Sequence, residues 1–239
     1  MQLTKNIKAI DLSLFFEQQK ILVVSDFHIG FEESLNKQGI LVPRFQLKDI
    51  ISRLEKIFEK TKPKIAVING DLKHEFGRIS SQEWTDTLKL IDFIAQNCEQ
   101  IILIKGNHDN ILLPIAQKRN VKIDKQFIIE DTLILHGDKI EDIPKEIKTI
   151  IIGHEHPAIS LREQGRAEKY KCFLVGNYKR KKLIVLPSFN LLVDGTDVLK
   201  EQLLSPYLKN ISNFEVLVIN DQKKEILEFG KIKNLTQSL

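Results

Sequence analysis

The stretch IILIKGNHDN, Ile101 to Asn110, carries an aliphatic run straight into Gly, Asn, His and Asp. An apolar run of this length bounded by turn residues reads as a buried strand. Asn, Gly and Asp suit a turn at its end because they tolerate left-handed backbone. Histidine adds nothing to a turn. Taken alone, GNHD also fits an ordinary loop, so its meaning depends on the rest of the chain.

The same pattern recurs in ILVVS (Ile21 to Ser25), IAVIN (Ile65 to Asn69), LIL (Leu133 to Leu135) and TIII (Thr149 to Ile152). Between the first two lies RFQLKDIISRLEKIFEK, with Leu47, Ile50, Ile51, Leu54, Ile57 and Phe58 at spacings of three and four, which predicts an amphipathic helix. A second helix is predicted in SSQEWTDTLKLIDFIAQN, with Ser80 and Glu83 as a capping box and Trp84, Leu88, Ile91 and Ala95 on one face. Alternating strands and helices make the N-terminal half α/β. Further on, FLVGNYKRKKLIVLP (Phe173 to Pro187) and FEVLVINDQKKEILEFGKI (Phe214 to Ile232) read as hairpins of a second, largely antiparallel sheet. The expected architecture is α/β (α+β), with two sheets packed face to face and helices outside. The chain shows no Pro/Ser-rich linker, repeat or low-complexity tract, so one domain over 1–239 is expected.

With 239 residues, 42% of them hydrophobic, the chain can bury a sizeable core, which argues against disorder. No apolar run approaches the roughly 18 residues of a membrane span, and MQLTKNIKAIDLS lacks the apolar stretch of a secretory signal. A soluble cytoplasmic protein without membrane partners is the expectation. Cys98 and Cys172 are the only cysteines and form no CxxC pair, so neither a disulfide framework nor a thiolate zinc site is suggested. A net charge of +4 permits nucleic-acid binding without indicating it.

Histidine is more informative. All six (His28, His74, His108, His136, His154 and His156) lie in or just after Gly- or Asp-containing loops. SDFHIG places Asp26 and His28 after the first strand, and NGDLKH places Asp71 and His74 after the second. GNHD adds Asn107 and His108, LILHGD adds His136, and IIIGHEHP adds His154 and His156. Ligands of α/β sheets bind beyond the carboxyl ends of the strands, so these residues are expected to converge. Carboxylate, amide and imidazole donors without thiolate suit divalent Mn, Fe or Zn. Seven candidate ligands exceed the needs of one ion. Two ions sharing a carboxylate, typically about 3.5 to 4 Å apart, would use them all and could clamp a phosphate.

In this order DFHIG, GDLKH, GNHD, LHG and GHEHP resemble the five blocks of the calcineurin-like metallophosphoesterases, spanning Asp26 to Pro157. The resemblance implies a four-layer sandwich of two packed sheets flanked by helices, and two divalent ions, with Mn the first choice and Fe or Zn as alternatives. It implies that Asp26, His28, Asp71 and His156 hold one ion and that Asp71 bridges to a second completed by Asn107, His136 and His154. His108 matches the family's non-ligand histidine, expected to reach the scissile phosphate and assist the leaving oxygen. In an extended GHEH segment His154 and His156 would project to one side, with Glu155 pointing away as a supporting or solvent residue. Asp109 either orients His108 or caps a helix in NILLPIAQKR, and Asp138 either supports the ligands or closes a turn.

His74 stands where the phosphatases commonly carry an Asp. GDLKH is similar instead to the archaeal branch related to the double-strand-break-repair nucleases, which implies a histidine facing the substrate phosphate and makes His74 a catalytic candidate. LPSFNLLVDGTDV, Leu186 to Val198, is similar to a segment of small archaeal phosphoesterases related to that branch. Only 83 residues follow His156, too few for the hairpins and a separate DNA-capping domain. The cluster Lys179, Arg180, Lys181 and Lys182 is either a solvated hairpin turn or a nucleic-acid contact; Tyr178 adjoins it, but no aromatic stacking series does. The family resemblance implies hydrolysis of a phosphate ester, a phosphodiester first and nucleic acid among its sources. A small nucleotide or phosphomonoester substrate, or a non-catalytic scaffold, are the alternatives.

Overall fold

Each of the aliphatic runs forms a strand buried along nearly its whole length, as central strands covered on both faces must be. In a computed structural model, which describes residues 1–77, 79–119, 121–163 and 166–235, these strands divide between two sheets. The first sheet runs in chain order: β1 (Ile7–Ile10), β2 (Ser13–Phe16), β3 (Ile21–Val24), β4 (Ile65–Asn69), β5 (Gln100–Ile104) and β6 (Lys122–Asp124). Strands β3 to β6 are parallel, while β1 and β2 add an antiparallel edge.

The second sheet contains β7 (Gln126–Ile129), β8 (Thr132–Leu135), β9 (Thr149–Ile152), β10 (Pro157–Glu163), β11 (Arg166–Tyr178), β12 (Lys181–Val185), β13 (Thr196–Asp197), β14 (Glu215–Asn220) and β15 (Glu225–Lys231). Both expected hairpins are present, as β11–β12 and β14–β15. This sheet is more mixed than expected. Strands β8, β9 and β12 form a parallel centre, which draws the LIL and TIII runs into the second sheet.

Period-two alternation divides the core. Ile134, Ile151, Ile184, Phe173 and Leu217 face the first sheet, whereas their neighbours Leu133, Ile150, Leu183, Leu174 and Val216 face outward under Tyr207, Leu208 and Phe214. Two helices flank the first sheet: α2 (Gln46–Thr61) and α3 (Ser81–Asn97), preceded by the short α1 (Phe31–Lys37). The outer face of the second sheet is covered by the irregular segment around Tyr207 and by the short terminal α5 (Ile232–Leu235), α4 (Leu113–Lys118) lying near β6.

The α2 face matches its periodicity, with Ile50, Leu54, Ile57 and Phe58 buried. The α3 face is rotated from the expected one: Glu83, Thr87, Leu90, Ile91 and Ile94 are buried, and Ala95 is exposed. Glu83 is drawn inward by hydrogen bonds to the loop after β4, which an apolar pattern does not register. No helix among the described residues is long and apolar enough to cross a membrane. Cys98 and Cys172 are free thiols, the latter buried.

Candidate metal centre

The loops leaving the carboxyl ends of β3, β4 and β5 meet those leaving β8 and β9 across the gap between the sheets. Backbone bonds zip the first two together: Asp26 N donates to Gly70 O at 3.1 Å, His28 N to Asp71 O at 2.9 Å and Ile29 N to Leu72 O at 3.0 Å. The segment after β12 clasps the same turn, with Phe189 N and Asn190 N donating to Ser25 O and Asp26 O. From α2, Gln46 donates to His28 O at 2.8 Å. These networks hold five functional candidates in left-handed backbone: Asp26 (φ 58°), His28 (46°), Asp71 (49°), His154 (64°) and His156 (50°). Such conformations cost a non-glycine residue on the order of 1–3 kcal/mol and persist only where surroundings overdetermine them. Their concentration here marks the site.

Two groups form. Asp26, His28 and His156 bring one ligand atom each within 4.8 Å of one another, as do Asp71, His136 and His154. Asn107 Oδ1 joins the second group, 3.0 Å from His136 Nε2. Asp71 lies between them. Its Oδ2 is 3.7 Å from His28 Nε2 and 3.3 Å from His136 Nε2, while Oδ1 accepts from His108 N at 2.9 Å. All seven expected ligands therefore meet. A third trio, His28, His74 and His108, has no carboxylate and is the less suited to a cation.

His154 and His156 meet the site for a different reason than the one expected. No strand runs through them: β9 ends at Ile152, β10 begins at Pro157, and left-handed turns at both histidines aim them at separate groups. Glu155 between them is buried, not solvent-facing, and accepts from Leu204 N (2.9 Å) and Ser205 N (2.8 Å). Asp109 neither orients His108 nor caps α4. Its carboxylate takes N–H bonds from Gly106, Leu72 and Lys73 and ties the β4 and β5 loops together. His108 Nδ1 instead contacts the His74 carbonyl oxygen, which makes it the donor and turns Nε2 toward Asp71 Oδ2, 4.0 Å away. The His74 ring stacks on that of His108 with 5.4 Å between centroids, and both line an open cleft of about 550 Å³ with His28 and His156. Asp138 lines a smaller recess beside His136.

Two glycines are required by close approach. A Cβ on Gly106 would stand 2.2 Å from Asp71 Oδ1 and 2.4 Å from Asp71 N, and one on Gly153 would meet Ser25 Oγ at 1.9 Å and Asp26 Oδ2 at 2.6 Å. Sequence reasoning missed several supports whose contacts run through backbone atoms: Gln46, Glu83, Asn190 and the fully buried Lys73, whose ammonium donates to His108 O at 2.5 Å and also to Glu75 O. GDLKH displays Lys73, but a lysine between chemistry-bearing neighbours carries no signal that it points inward.

The electrostatics call for a cation. Among the described residues neither Asp26 nor Asp71 pairs with a lysine or arginine. Burial opposes ionisation of Asp26, yet His156, followed by His136 and Ser25, holds its carboxyl down at about 2. His136 is raised to about 9 despite burial, by its hydrogen bond to Asp71 and by the charge of Asp26. Burial and His156 push His28 well down, burial and His136 push His154 down, and burial and His108 push His74 down to about 4. Buried carboxylates whose counter-charges come from imidazoles alone, with His28 Nδ1 buried and without a partner among the described residues, are a donor set fitted to divalent ions.

The basic turn lies elsewhere. Lys179 and Arg180 both adopt left-handed backbone in a two-residue hairpin loop. Because β12 runs parallel to β9 with Lys182 opposite Thr149, the turn sits at the far end of the sheet, roughly 16 Å from the level of His154 at 3.3 Å per residue. Lys181 and Lys182 cap backbone carbonyls there, including Pro144 O (3.1 Å) and Leu3 O (2.6 Å).

A family model described as Calcineurin-like phosphoesterase matches residues 19–232. No curated protein matches the chain. Among solved structures, the nuclease MPE of Pseudomonas putida is 17% identical and superposes with a TM-score of 0.66 over 93% of this chain and 94% of that one. The phosphoesterase Yfce of E. coli is 14% identical, with a TM-score of 0.43 over 88% and 98% of the two chains. At these identities the first likeness speaks for the fold alone.

Proposed function

The chain belongs to the calcineurin-like phosphoesterases, divalent-metal-dependent hydrolases of phosphate esters, and on that premise we propose that it is a phosphodiesterase built as one such domain over 1–239. The observation that carries the reading is Asp71 Oδ2 standing between two imidazole groups, 3.7 Å from His28 and 3.3 Å from His136. Asp26, His28, Asp71 and His156 would hold one ion, and Asp71, Asn107, His136 and His154 the other. Mn is the first choice for these donors, with Fe or Zn as alternatives. Bound ions supply Lewis acidity and neutralise phosphate charge.

The chain's own residues do the rest. With Nδ1–H given to the His74 carbonyl, the His108 imidazolium can carry a proton on Nε2 toward the leaving oxygen. His74 would touch the substrate phosphate, a role supported by its stacking on His108 and its position in the cleft wall. The His in GDLKH supports a place in the branch related to the double-strand-break-repair nucleases, and the P. putida neighbour's name as a nuclease agrees with a diester substrate. A comparison of mono-, di- and cyclic phosphate esters with the Mn-loaded protein tests the reading. Diester turnover should exceed monoester turnover, and turnover of monoesters alone, or of nothing, would sink it.

A further inference from the structure

The two openings onto the centre differ in chemistry. The cleft on the His28 side is lined by imidazoles and by Phe31, Leu192 and Val193, and its lysine, Lys169, is paired with Glu201 at 2.8 Å. Phe76, 54% exposed, lies on the ring of His108 at 3.7 Å between centroids. This side, where His108 would face the leaving oxygen, offers the apolar surfaces of Phe31, Phe76, Leu192 and Val193, and among the described residues lining it the cation, Lys169, is already paired.

The other opening is a recess of about 330 Å³ whose inner wall is Asn107 and His136. Lys105, Lys125 and Lys139 stand around it, together with Asp138 and Glu141. Lys139 is neutralised by Glu141 at 3.3 Å. Lys105 and Lys125 are exposed, and no ion pair or side-chain hydrogen bond among the described residues engages their ammonium groups. They follow the carboxyl ends of neighbouring parallel strands, Lys105 just after β5 and Lys125 just after β6, where Ile104 lies opposite Asp124. The bond from Lys105 N to Asp124 O at 2.9 Å fixes their two backbones side by side. At about 330 Å³ the recess is large enough for a phosphate and its sugar.

We propose that this recess is a subsite for a second phosphate of the substrate, one link from the scissile group and held by Lys105 and Lys125. The inference rests on the phosphodiesterase reading above and deepens it: the substrate is a polyanionic phosphate ester that lies across the centre, with its leaving moiety against the apolar cleft and its next phosphate in the recess. Exposed ammonium groups act here through charge, so their contribution falls with salt. An internucleotide phosphate and a terminal phosphate share the required chemistry.

The test compares bis(p-nitrophenyl) phosphate, TpT, TpTpT and pTpT as substrates of the wild type and of the Lys105→Ser/Lys125→Ser variant. For the wild type, kcat/KM should rise roughly fivefold from TpT to a substrate with a second phosphate, the size of one exposed charge contact. The double variant should lose that gain while hydrolysing bis(p-nitrophenyl) phosphate as before. A gain with TpTpT supports the subsite, and a gain with pTpT as well puts the second phosphate on the 5′ side of the scissile link. A gain that survives the substitutions, or none in the wild type, overturns it. Independently, anisotropy of a labelled dT6 strand on metal-free protein should show a salt slope smaller by about 0.7 per lost phosphate contact in the variant. If no diester is cleaved, the phosphodiesterase reading falls, and this binding slope still decides whether the recess takes phosphate.

Discussion

Glu83 of α3 accepts from His74 N at 2.8 Å, so the helix that begins the second α/β crossover holds the loop carrying a catalytic candidate. Ser80 caps the helix by accepting from Glu83 N at 3.0 Å, but the reciprocal half of the capping box is absent because the glutamate serves His74 and Glu75 instead. Glu83→Ala leaves two N–H groups without their acceptor and should cost on the order of 2 kcal/mol in urea unfolding. Glu83→Gln keeps an acceptor oxygen and should recover most of it. Equal losses in the two variants would contradict this role.

His108 to Ala should leave metal content unchanged and slow an alkoxide-leaving nucleotide linkage far more than an activated nitrophenyl diester, because proton donation matters most for a poor leaving group. The two substrates should diverge by about 100- to 10,000-fold. His74→Ala should show a milder defect, concentrated on the larger substrate. Loss of metal with equal losses on both substrates would make His108 a ligand.

Much of this arrangement is legible in the sequence, and the limits are physical. Parallel strands buried on both faces produce uninterrupted aliphatic runs, so the ends of β3, β4, β5, β8 and β9 announce themselves, and the polar residues after them meet where expected. Backbone-directed contacts have no such signature. Nothing in GNHD says that Asp109 gathers N–H bonds from Gly106, Leu72 and Lys73, and nothing in GHEH distinguishes an extended segment from two left-handed turns. The position of Lys179–Lys182 at the far end of the second sheet follows from β12 pairing parallel to β9, a long-range choice that the local pattern does not contain.

Gly106 is irreplaceable for reasons of space. A methyl group there meets Asp71 N at 2.4 Å as well as its carboxylate, and main chain cannot rotate aside as a side chain can. Gly106→Ala should destabilise the fold by about 1–3 kcal/mol and weaken metal binding by displacing Asp71. Thermal unfolding with and without metal reads both effects, and a variant of wild-type stability and metal content would refute the close approach.

Lys171 is half-buried with its ammonium donating inward to Ser188 O (3.0 Å) and Asn190 O (2.8 Å), and desolvation, reinforced by Arg53, lowers it to about 8 from the ordinary 10.5. Below pH 8 both folded and unfolded chains carry the proton, and its desolvation weighs fully against folding. Between pH 8 and 10.5 the unfolded chain binds more protons, so stability rises with pH relative to Lys171→Met, by on the order of 3 kcal/mol in all. Denaturant unfolding of both proteins across this range measures the difference, and a constant difference would contradict the lowered value.

The central claim is that Asp71 is shared by two metal ions, and metal stoichiometry tests it most directly. Elemental analysis of Mn-loaded, buffer-exchanged protein should give about two ions per wild-type chain, and Asp71→Asn, which removes the charge common to both groups, should retain between none and one. A variant that keeps two tightly bound ions with full turnover would contradict the account.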